Sequence, residues 1–76
     1  MAKIKFIRKC QRHGTTQYDI IYQSGRSNLF LSEKNIPQTA KDYILNAIMA
    51  GTVTEQVDRY HGPETIYEYN SWRYGI

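Results

Sequence analysis

The chain has 76 residues, 41% hydrophobic and 13% aromatic, with ten Lys and Arg against seven Asp and Glu for a formal net charge of +3. That length holds one domain, 1–76, and ten aromatic residues among its apolar segments exclude a disordered coil. No apolar run approaches the roughly 20 residues of a membrane-spanning helix, and so small a core leaves little room for the enclosed pocket of a typical enzyme.

Lys3 to Gln11 alternates as a strand, with Ile4, Phe6 and Cys10 on one face and Lys3, Lys5, Ile7 and Lys9 on the other. Arg8 interrupts the apolar face and reads as lying near a sheet edge. Residues 12–16 turn the chain. Gln17 to Gln23 is a second strand, its Tyr18, Ile20 and Tyr22 opposite Asp19 and Ile21. Ser24-Gly25-Arg26-Ser27 is a tight connection, and Asn28 to Ser32 a short third strand. Three strands with short loops make an antiparallel meander.

A helix follows over about 37–50. Ala40, Tyr43, Ile44, Ala47 and Ile48 recur at the spacing of a core-facing stripe. Gly51 ends the helix. Pro37 suits its first turn, and Thr39 with Asp42 offers a capping box as the alternative start. Leu45 and Met49 lie off the stripe and form a second apolar patch.

Residues 52–60 have two readings. Thr52-Val53-Thr54-Glu55 can open a second helix, whereas the β-branched residues favour a strand. In the strand reading His61-Gly62-Pro63-Glu64 turns the chain into a strand over 65–70, completing a C-terminal hairpin with Arg59 near Glu68. The expected fold is α+β: a three-stranded antiparallel meander packed on one helix, followed by a β-hairpin. One helix covers one sheet face, so the other face is wet, paired with a second subunit or used for binding.

The charge is unevenly distributed. Residues 1–14 hold five cations and no acid, whereas the rest of the chain is slightly acidic. Lys3, Lys5 and Lys9 in a row, with Arg8, Arg12 and Arg26, are the candidate contacts to nucleic-acid phosphates. The same lysines also suit the guarding of an exposed strand edge. The second candidate surface is aromatic: Tyr60, Tyr67, Tyr69, Trp72 and Tyr74, with Arg73, joined by Leu45 and Met49. Such residues stack on unpaired bases, anchor protein interfaces or complete a core.

No catalytic set emerges. Cys10 and His13 share a Cys-x-x-His spacing, and Asp58 and His61 can be added. The second cysteine of a usual zinc pair is missing, however, and Lys9 and Arg12 oppose a cation. Cys10 reads as a buried small apolar residue. Glu64 and Glu68 share a strand face without an enclosed site. No metal, cofactor or enzymatic activity is expected. A single cysteine and the lack of a secretion-signal pattern point to the cytoplasm. The expected function is macromolecular binding: nucleic acid through the basic first strand, or alternatively a protein partner through the Tyr/Trp-rich surface. A homodimer is expected in either case.

Overall fold

The computed structural model describes residues 3–60 and 62–69. Strands β1 (Ile4–Arg12) and β2 (Thr15–Tyr22) are joined by His13 and Gly14, both at positive φ (54° and 75°). A two-residue hairpin turn of this hand requires positive φ at both positions, which glycine adopts without a Cβ clash. β3 (Ser27–Ser32) pairs with β2, and a 3₁₀ turn at Glu33–Asn35 leads into helix α1 (Gln38–Ala50). β4 (Val53–Asp58) and β5 (Gly62–Tyr67) form the closing hairpin. Among the described residues the sheet is five-stranded and antiparallel, in the order β3-β2-β1-β5-β4. The fold is therefore the expected α+β meander, helix and hairpin, and residues 53–58 are strand.

Residues opposite each other in a ladder share a sheet face. Ile7 lies opposite both Ile20 and Tyr67, and these three, with Tyr18, pack beneath Ala40 and Ala47 of α1 to form the core. The two alanines let the helix lie close to the sheet. α1 starts after Pro37 without a side-chain cap, so the Thr39–Asp42 capping box does not form; Asp42 instead accepts a hydrogen bond from Gln38 at 3.0 Å. Gly51, at φ 72°, ends the helix by donating its N–H to the carbonyls of Ala47 and Ile48.

Several expectations are corrected. β1 is the middle strand, so Arg8 is not near an edge, and Lys9 lies in a stretch paired on both sides. The register slips between Ile4 and Phe6, making Lys5 the extra residue of a bulge. Ile4 therefore packs on the helix side while Phe6 falls on the opposite face. The bulge also takes Lys3, Lys5 and Lys9 out of phase, and Lys9 lies opposite Tyr18 and Thr65 on the helix side. Ile48 is 55% exposed, because the buried side of α1 is centred on Ala40 and Ala47 and extends only to Tyr43 and Ile44. In the hairpin Asp58 pairs with Gly62 and Val53 with Tyr67, so β5 begins earlier than the sequence implies. Arg59 sits at the turn and Glu68 beyond the far end of the ladder, so the two are not cross-strand neighbours.

Candidate binding surfaces

The sheet face away from α1 carries Arg8, Arg12, Asp19, Gln56 and Glu64, in positions set by the ladder registers. Arg8 is directly opposite Asp19. Arg8 donates to Asp19 Oδ2 from Nε (3.0 Å) and Nη2 (2.9 Å); Arg12 donates to Oδ1 (3.0 Å) and Oδ2 (2.7 Å). The Phe30 backbone N–H gives a fifth hydrogen bond, 3.0 Å from Oδ1. Asp19 is fully buried. Burial alone raises its carboxyl pKa, but the hydrogen bonds from Arg12, Phe30 and Arg8 outweigh that and hold it at about 2, below the ordinary 3.8. The network continues sideways: Arg8 Nε is 3.9 Å from Glu64 Oε2, and Gln56 donates to Glu64 Oε1 at 3.0 Å. This face therefore combines a network of internally paired charges with the apolar side chains of Phe6, Cys10, Ile21 and Ile66.

Two of the six candidate phosphate-binding cations, Arg8 and Arg12, are thus engaged within the protein. Lys9 is half-buried, while Lys3, Lys5 and Arg26 are exposed. These last three lie toward one end of the sheet. Gln23 N–H donates to the Lys3 carbonyl and Tyr22 N–H to the Arg26 carbonyl, both at 2.9 Å, which brings the β2–β3 turn beside the start of β1.

The aromatic candidates separate. Tyr67 is buried in the core. Tyr69 packs edge-on against Tyr43 with ring centroids 6.4 Å apart, and its N–H donates to the Tyr43 hydroxyl, which in turn donates to the Lys5 carbonyl. Both tyrosines therefore take part in packing within the protein. Tyr60 is 85% exposed at the β4–β5 turn. Trp72, Arg73 and Tyr74 lie outside the described residues. Cys10 is buried, and burial raises its thiol pKa. Among the described residues no three His, Cys, Asp or Glu side chains cluster so as to hold a metal ion.

Leu45 and Met49 are 56% and 79% exposed, and Ile48 joins them to make one apolar strip on the outer side of α1. The helical spacing in the sequence places Ile48 on the core-facing stripe and so divides this strip. The structure also adds Phe30. It is 61% exposed with φ 62°, and the Arg12 guanidinium carbon lies 4.7 Å from its ring centroid. No sequence signal marks Phe30, because its backbone geometry depends on a hydrogen bond to a residue on the neighbouring strand.

The chain matches no family model, no curated protein and no solved structure. Among the described residues no helix is long and apolar enough to cross a membrane.

Proposed function

We propose that the protein is a small, non-enzymatic binding protein that docks on another protein through the outer side of α1. The supporting observation is the strip of Leu45, Ile48 and Met49, each more than half exposed, at the i, i+3, i+4 spacing of a helix that enters an apolar groove. Contiguous exposed apolar surface on a small domain marks an interaction site. Lys41 lies one turn before Leu45 and is also exposed. With a net charge of +3, it favours a groove with an acidic rim and speeds encounter with an acidic partner.

The test is photocrosslinking in host cells with a photoactivatable residue in place of Met49. The expected result is one acidic protein captured, with capture lost on Leu45→Asp and an unchanged circular dichroism spectrum. A product containing only a second copy of the chain would make the strip a homodimer contact instead. Capture that survives Leu45→Asp would sink the assignment of the surface.

Nucleic-acid binding is the second reading, and it is supported by Lys3, Lys5 and Arg26 lying exposed toward one end of the sheet.

A further inference from the structure

Beyond the α1 surface, the protein carries a cleft of about 400 Å³ lined by Gln11, Arg12, His13, Phe30 and Tyr60. We infer that this cleft binds a planar heteroaromatic ring, a nucleobase, stacked on the exposed face of Phe30. The inference rests on neither reading of the macromolecular partner.

Phe30 is held in a way that its own packing does not explain. A bulky side chain at φ 62° occupies a region that such residues rarely adopt. The conformation persists because the Phe30 N–H is tied to Asp19, which is itself held by two arginines. The result is an exposed ring in a defined orientation rather than a ring tucked into the core. Backbone strain of this kind, maintained by its surroundings, is characteristic of binding and active sites. The Arg12 guanidinium lies 4.7 Å from the ring centroid, and the ring is still 61% exposed beside it.

The rest of the cleft favours a base over an aromatic side chain. Tyr60 supplies a second exposed ring, its turn pinned by a 2.9 Å hydrogen bond from its N–H to Asp58. Gln11 lines the cleft at the end of β1, its carboxamide held on the helix side by a 2.7 Å hydrogen bond from Nε2 to Thr16 Oγ1. His13, exposed in the β1–β2 turn, adds an imidazole that can donate or accept. A nucleobase has donors and acceptors on its edge for these groups, whereas a phenyl or aliphatic side chain would leave them without partners. Free nucleotide and an unpaired base in a strand share this chemistry.

The experiment is an amide and side-chain NMR titration with adenosine monophosphate, a six-nucleotide single-stranded oligoadenylate and the corresponding duplex, on wild type and Phe30→Gly. Glycine accepts the left-handed conformation and retains the N–H to Asp19, so the variant is expected to stay folded while losing the ring. Saturable shifts are expected at Gln11, His13, Phe30 and Tyr60, with binding weakened about ten-fold or more in Phe30→Gly and in Tyr60→Ser. Tighter binding of the single strand than of the mononucleotide identifies a strand as the source of the base; equal binding identifies a free nucleotide. Unchanged spectra up to ~10 mM ligand, a range that still reveals the weakest specific complexes, would overturn the inference. So would equal binding by Phe30→Gly, or a phenol probe that binds as well as the nucleotide. Leu45→Asp is expected to leave the titration unchanged, which separates this site from the α1 surface.

Discussion

Asp19 shows how one residue can organise a sheet face. Its neutral form would leave two guanidinium groups and a backbone N–H competing for a weaker acceptor. Its pKa is about 2 in the folded protein against an ordinary 3.8, so the folded state holds its proton less readily than the unfolded chain. The corresponding stability is fully present above about pH 4 and is lost as pH falls through 2, amounting to about 2 kcal/mol at roughly 1.4 kcal/mol per unit. Urea denaturation is expected to show a shallower loss between pH 4 and 2 for Asp19→Asn than for wild type. At pH 7 the variant should be less stable by about 3 kcal/mol, because it leaves buried arginine charge uncompensated. Wild type and variant responding in parallel to acid would assign the low-pH loss to other carboxylates.

At the scale of elements, α1 divides sharply between its two sides. Ala40 and Ala47 are fully buried against the sheet, and Ile48, the residue after Ala47, is not. Ala47→Leu is expected to destabilise the protein by about 1–3 kcal/mol through overpacking. Ile48→Gln is expected to stay within about 0.5 kcal/mol of wild type, as exposed substitutions do. Thermal melts of the two variants check this contrast, and a large loss in Ile48→Gln would return that residue to the core. The extent of α1, its stop at Gly51 and the first hairpin were legible because each depends on neighbouring residues. Tyr18, Ile20 and Tyr22 likewise showed their shared face by simple alternation. The bulge at Lys5, the Arg8–Asp19 pairing and the β4–β5 register were not legible, since each depends on which residue of a distant segment lies across the ladder. An arginine among apolar residues looks like a flaw until the aspartate opposite it is known. The exposed strip on α1 was only half legible, because helical periodicity identifies an apolar stripe without saying where its buried part ends.

For the whole molecule, internal pairing changes how the charge is used. The five cations in residues 1–14 look like a single attractive patch, but two of them neutralise Asp19 and Glu64 on the open sheet face. If the protein binds nucleic acid, Lys3, Lys5 and Arg26 should make most of the phosphate contacts. Three contacts give a slope of log affinity against log salt of about −2 to −3. Fluorescence anisotropy over a salt series checks this, and a slope near −5 would show that Arg8 and Arg12 also reach phosphate. Replacing Lys3, Lys5 and Arg26 by Ala should flatten the dependence.

The strand order also bears on folding. β1 is first of the five strands in chain order among the described residues yet occupies the middle of the finished sheet, flanked by β2 and β5. One side is covered as soon as the first hairpin closes, but the other waits for residues 64–67. Until that pairing forms, β1 keeps an open hydrogen-bonding edge, with Ile7 and Cys10 not enclosed. Closing it joins segments far apart in sequence, so docking of β5 on β1 is expected to be the slow step of refolding, later than the local β1–β2 hairpin.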